Sequence, residues 1–249
     1  MKLKFLPGCW AILLCICDAT AQPAGREIVT QPVEWFSLTS TIPVTKGIKA
    51  IVEGQFRYAR GFEPMQYQAR TALEIKLNDH FSIIPLGYVY TWNFKYGDQP
   101  AIFENNEHRI WEQVSYKHSI GRFKLDHRLR IEQRFIQFHS MGDDGEVVND
   151  GYVINQNRFR YRFNGKVPIK KTEIESNTYF ACFYDEVFFS TGEMVTFDEP
   201  DQNRIFGGIG YQLDKFSYQA GLFYQMLIKA NGLKQENNVG VQIQFYYNF

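Results

Sequence analysis

Arginine and carboxylate recur two residues apart in this chain. Asp126, Arg128, Arg130, Glu132 and Arg134 keep that step through one run, and Arg158, Arg160 and Arg162 keep it through the next. On an extended strand, residues two apart share a face, so each run lays a charged row along one side. The same face counting adds Arg57, Arg70, Glu74, Glu112, Glu186 and Arg204, with Glu53 beside them. Two chemistries suit such a wall. One is a closed network in which every charge finds a partner, since an unpaired buried charge costs on the order of several kcal/mol and arginine meets a carboxylate through two parallel hydrogen bonds. The other is a pore lining: arginine outnumbers acid in these rows, and an arginine-lined lumen favours anions. Both remain open at this level.

Catalytic chemistry is poorly served. The histidines are His80, His108, His118, His127 and His139, and His139-Ser140 precedes Asp143 and Asp144. Neighbours on a strand point to opposite faces, so His139 cannot activate Ser140 unless the chain bends. His127 falls on the apolar face of its strand. The acidic stretches Asp143-Asp144-Gly145-Glu146 with Asp150, and Asp198-Glu199 with Asp201, lack calcium-loop spacing and read as solvated loops. Cys182 has no metal-ligand spacing around it. No cofactor is expected, and an outer-membrane lipid or glycan enzyme stands third, behind a closed network and a pore.

The elements that carry these rows alternate with period two from about residue 33 onward. Phe123, Leu125, Leu129, Ile131 and Phe135 oppose the charged row of their own segment; Phe159, Tyr161 and Phe163 oppose the three arginines of the next. Aromatic residues make up 16% of the chain, yet the mean hydropathy is −0.33. That combination suits two-faced strands, and no apolar run after residue 17 is long enough for a spanning helix. A formal net charge of zero argues against nucleic acid. Most segments run longer than the roughly 5–6 residues of ordinary strands and match the roughly 9–11 that cross a bilayer obliquely. Tight connections (Pro43–Gly47, Asn78–His80, Ser119–Arg122, Asp214) alternate with longer polar ones (Tyr96–Glu107, Ser140–Tyr152, Thr191–Pro200). Short turns on one side and long loops on the other mark an outer-membrane barrel.

The termini agree. Lys2 and Lys4 precede the apolar stretch Trp10–Cys17, and Ala19-Thr20-Ala21 offers small residues for cleavage after Ala21. Ile16 and Leu14 are too bulky for a lipoprotein signal, and cleavage leaves Cys182 as the sole cysteine. At the other end Val239, Val241, Ile243, Phe245, Tyr247 and Phe249 share one face, so the apolar row finishes on an aromatic carboxy-terminal residue. This resembles the assembly signal of outer-membrane proteins, carried by Tyr247 and Phe249. Tyr88, Tyr90, Trp92, Phe94 and Tyr224 also fall toward strand ends, where interfacial girdles lie. The expected organisation is a cleaved leader over 1–21, an N-terminal segment or short first strand over 22–32, and one barrel over 33–249. The expected fold is all-β: a closed, antiparallel, up-and-down transmembrane barrel of about twelve strands, since single-chain bacterial barrels have even numbers. Gly25–Gln31 would be the first strand, with Pro32 and Pro43 punctuating the first hairpin; ten strands follow if the N-terminal segment threads the lumen or one of the later segments is partly loop.

The runs His108-Arg109-Ile110-Trp111-Glu112-Gln113, Arg130–Phe135, Asn157–Arg162, Tyr184–Phe188 and Asp201–Arg204 together resemble domain-of-unknown-function family 2490, exported barrels of Gram-negative bacteria. Membership implies an outer-membrane barrel and brings no activity. Glu199-Pro200 departs from the aromatic expected before Asp201. The resulting expectation is a monomer in contact with outer-membrane lipid and lipopolysaccharide, delivered by periplasmic chaperones and the barrel assembly machinery.

Overall fold

The structure of the chain, a computed structural model, describes residues 25–192, 200–229 and 231–249. The leader expected over 1–21 and the acidic pair Asp198-Glu199 lie outside the described residues. Every regular element within them is a strand: β1 (Glu27–Thr45), β2 (Ile48–Ala59), β3 (Glu63–Lys76), β4 (Phe81–Asn93), β5 (Asn105–Ile120), β6 (Phe123–Met141), β7 (Val147–Pro168), β8 (Thr178–Thr191), β9 (Gln202–Gln212), β10 (Phe216–Ile228) and β11 (Lys234–Asn248). They close into one barrel in chain order, with β1 against β11.

Eleven strands among the described residues come close to the twelve expected. The difference lies at Pro32. Gly25–Gln31 and Val33–Ile42, expected as two strands, belong to one continuous β1. From Glu27 to Pro32 this strand pairs only with β11; from Val33 onward it pairs with β2 on its other edge as well. Pro32 sits at the end of that second pairing, where its carbonyl still accepts from the Arg60 N–H at 3.1 Å and its missing N–H removes only the last bond of the ladder. An odd count obliges first and last strands to run the same way. The closing β1–β11 pair is accordingly parallel, from Glu27↔Lys234 to Thr41↔Asn248, while every other pair is antiparallel. Gly240 lies on this seam. A Cβ there would fall 1.7 Å from the Val33 carbonyl oxygen, so only glycine allows the approach.

The turns β1–β2, β3–β4, β5–β6 and β9–β10 mark a short-turn end, where Phe249 also lies; Glu27 lies at the opposite, long-loop end. Side chains alternate between the two faces, with the phase shifted at bulges such as Pro85-Leu86 in β4. Leu38, Val52, Leu73, Leu86, Leu129, Ile205, Ile209, Leu222 and Val241 point outward with 43–74% of their surface exposed. Aromatic rings border this zone at both ends. Phe36, Tyr58 and Phe62, and Tyr90, Trp92 and His108, pack toward the long loops. Phe81 and Tyr116, Tyr179 and Tyr211, and Tyr247 and Phe249 pack toward the short turns. His127 faces outward, its Nδ1 2.8 Å from the Tyr161 hydroxyl. The inward face is mostly polar. Its apolar part is Trp35, Tyr184, Phe206 and Phe223 with their neighbours, and separately Ile84, Val89 and Trp111. Trp111 fills the space over Gly87, where a Cβ would come within 2.1 Å of the indole.

Candidate functional site

The barrel interior is the candidate site, and its contents are layered. At the long-loop mouth, residues 94–104 fold inward. Gly97, at φ 69°, brings the backbone against Gln31, whose Oε1 would lie 2.1 Å from a Cβ. Tyr96 donates its hydroxyl to Glu236 at 2.8 Å, and Gln99 donates to the Glu27 carbonyl at 3.2 Å. Below them an amide chain runs across the wall: Gln31 donates to Asn238 and Asn238 to Gln225, at 2.8 and 3.1 Å. Lys229 reaches Glu236 at 2.5 Å.

The next layers hold the arginines. Glu107 accepts from Arg109 and Arg134, with nearest contacts of 2.6 and 2.5 Å. Asp201 takes Arg158 at 3.1 Å and the Ser190 hydroxyl at 2.8 Å. Glu132 ion-pairs Arg160, and lies 3.6 Å from Arg109 and 3.7 Å from Arg130. Glu186 binds Arg128, takes Arg160 at 2.8 Å and lies 3.7 Å from Arg204. Arginine-rich clusters are held this way because one carboxylate has two oxygens and about four lone-pair sites to share. Rings take the remaining faces: the Arg57 and Arg204 guanidinium carbons lie 4.0 and 5.0 Å from the Trp35 ring centre, and Arg130 lies 3.7 Å from that of Trp111. Arg57 also donates to Gln55 and Gln66. On the other side of the wall Arg70 pairs with Glu53 at 2.6 Å, and Glu74 accepts from Ser82 at 2.7 Å.

These layers leave little open space. Glu107, Glu132 and Glu236 are each 1% exposed and Asn238 is 0% exposed, although all face inward. Toward the short-turn end the filling stops. A cavity of about 300 Å³ begins among the lower arginines, Arg130, Arg160 and Arg204, and continues past Glu53, Arg128 and Gln244. Lys117, 54% exposed, stands at its rim. A second space of about 240 Å³ adjoins it through Asp126, Arg128, Arg162 and Tyr246, and adds Lys166.

Of the residues singled out from sequence, Arg57, Arg70, Glu74, Asp126, Arg128, Arg130, Glu132, Arg134, Arg158, Arg160, Arg162, Glu186 and Arg204 are brought together inside. Glu112 is not. It is exposed on the outer face of β5, between outward Ile110 and Val114. The parity that puts Glu107, Arg109, Trp111 and Gln113 inside necessarily puts Glu112 outside. An aromatic ring takes the inward place there because it serves as a platform for Arg130. Face counting also passed over Glu107, Arg109, Trp35, Asp201, Glu236 and Lys166. The two-residue step Glu107, Arg109 is the available signal, and it shows only because β5 begins at Asn105, ahead of the segment that the local pattern marks. Ser140 donates to Asp150 at 3.1 Å and His139 packs on Phe103, so the two do not form a nucleophile–base pair. Tyr247 and Phe249 sit edge-to-face outside the barrel, at 4.6 Å.

The model of one protein family, described as a protein of unknown function (DUF2490), matches residues 34–237. No curated protein matches the chain significantly.

Proposed function

The chain belongs to that family of unknown function, and on this footing we propose that it is an integral outer-membrane β-barrel, sealed across its long-loop half and hollow toward its short turns. The outward face carries the reading. Large aliphatic side chains exposed all round a barrel, and bordered by aromatics at both ends, are stable in hydrocarbon and prone to aggregate in water. At roughly 25 cal/mol per Å² of apolar surface removed from water, a lipid environment is strongly favoured. The leader ending at Ala21 would take the chain across the inner membrane, and Phe249 would mark it for the barrel assembly machinery. With the short turns facing the periplasm, the long loops would meet lipopolysaccharide.

The filled layers favour a sealed barrel over an anion-preferring channel. A conducting path needs water-accessible side chains along its whole length, and the inward carboxylates at the Glu107 and Glu132 levels are nearly inaccessible. The test is expression of the full chain followed by membrane fractionation. The expected product begins at Gln22, sits in the outer-membrane fraction and migrates faster on gels unheated than boiled. Reconstituted in planar bilayers, it should show no unitary currents. A freely soluble mature protein would overturn the membrane reading; discrete currents would overturn the sealed one.

A further inference from the structure

The β6–β7 hairpin sets like charges opposite one another along its inner wall. Arg130 faces Arg160, Arg128 faces Arg162, and Lys124 faces Lys166 in the ladder. Directly opposed like charges destabilise a strand pair, so each step of this wall requires an anion. At the upper step the protein supplies one: Glu132 takes both Arg130 and Arg160. At the lower steps it supplies only part. Arg128 has Glu186 and Lys124 has Glu173, but neither Arg162 nor Lys166 has an ion-pair partner among the described residues. The Arg162 Nε is buried without a hydrogen-bond partner. Aromatic rings hold both groups in place: Arg162 lies 3.8 Å from the centre of Tyr184, and Lys166 lies 5.2 and 5.5 Å from Phe180 and Tyr246. At this level the one carboxylate, Asp126, makes no ion pair among the described residues, and a cavity of about 240 Å³ opens between it, Arg128, Arg162 and Lys166.

We propose that this cavity binds a small phosphate monoester, whose phosphoryl group takes the place that Glu132 fills one step higher. An added anion suits the local balance: Arg128 already has Glu186, and of the remaining groups Arg162 and Lys166 are cationic against the single carboxylate of Asp126. Three phosphoryl oxygens offer separate acceptors to two guanidinium groups and an ammonium, whereas a single carboxylate offers two. Asp126 decides the rest of the ligand. Its Oδ1 is buried without a hydrogen-bond partner and lines the same space. A carboxylate there repels a bare anion and accepts from a donor, so the organic part carries a hydroxyl group. The cavity size limits that part to a few carbon atoms. The inference needs the folded barrel and is independent of where the barrel resides.

Titration of the refolded mature protein in detergent micelles with sn-glycerol 3-phosphate, inorganic phosphate and acetate tests it by calorimetry. Saturable binding of glycerol 3-phosphate is expected, tighter than that of inorganic phosphate, with acetate binding at least tenfold more weakly. Arg162→Gln and Lys166→Gln should each weaken glycerol 3-phosphate at least tenfold while the protein keeps its heat-modifiable migration. Asp126→Leu, which removes the acceptor as well as the charge, should abolish the preference for glycerol 3-phosphate over inorganic phosphate. Two positions are used so that a folding defect in one variant leaves the other to decide. No saturable binding, binding unchanged in whichever variant folds, or equal affinity for acetate would overturn the proposal.

Discussion

Glu132 shows how a single residue holds this interior. Its carboxylate sits among Arg109, Arg130 and Arg160 with 1% exposure. Glu132→Gln leaves those guanidinium groups short of a counter-charge in a place they cannot leave. Removing one partner of a buried ion pair costs roughly 3–5 kcal/mol, and the loss should appear as a lowered urea midpoint for refolding into lipid vesicles. Glu112 makes the opposite case. It stands outside, amid aliphatic neighbours. In a bilayer an outward carboxylate is unfavourable, less so than a lysine or arginine, for which the cost is roughly 2–4 kcal/mol at mid-depth. Glu112→Leu is therefore expected to raise stability in vesicles by about 1 kcal/mol in the same assay. A barrel that lived in water would instead lose solubility.

Among the elements, the parallel β1–β11 seam is where the molecule closes. Its ladder bonds are slanted and slightly weaker per residue than antiparallel ones, and it depends on Gly240 lying flush against Val33. Gly240→Ala forces the two backbones apart. Overpacking of this kind costs roughly 1–3 kcal/mol, and because β1 and β11 have no other closing partner the expected result is a slower, less complete gain of heat-modifiable migration on refolding. A matched Ala substitution at exposed Gly207 in β9, where a Cβ meets nothing within 4 Å, should leave closure intact.

For the whole molecule, filling and emptiness are distributed unevenly. The inward loop 94–104 covers the mouth, but the amide chain and the arginine layers lie beneath it. Deletion of residues 97–103 with a short glycine bridge should therefore leave the barrel non-conducting in planar bilayers. Currents that appear on deletion would mean that the loop alone closes a channel. The cavity space lies mostly on the short-turn side of the paired carboxylates Glu107 and Glu132.

Much of this architecture was legible from residues alone. Period two over long segments, alternating turn lengths and the row ending at Phe249 specify two-faced strands, because side-chain alternation is a local property of extended backbone. The same alternation placed most arginines on one face. It failed at Glu112, where a charged residue and an aromatic neighbour compete for the inward place and local pattern cannot choose. The strand count also escaped it: Pro32 reads as a break, and only the unbroken pairing of β1 with β11 across Pro32↔Val239 shows that it sits within one strand. Parity of the count then decided that the seam is parallel. Which carboxylate serves which arginine, and where none does, depends on strands far apart in the chain. The register of β5 through β9 sets those distances, so the paired layers above and the uncompensated Arg162 and Lys166 below belong to the tertiary structure.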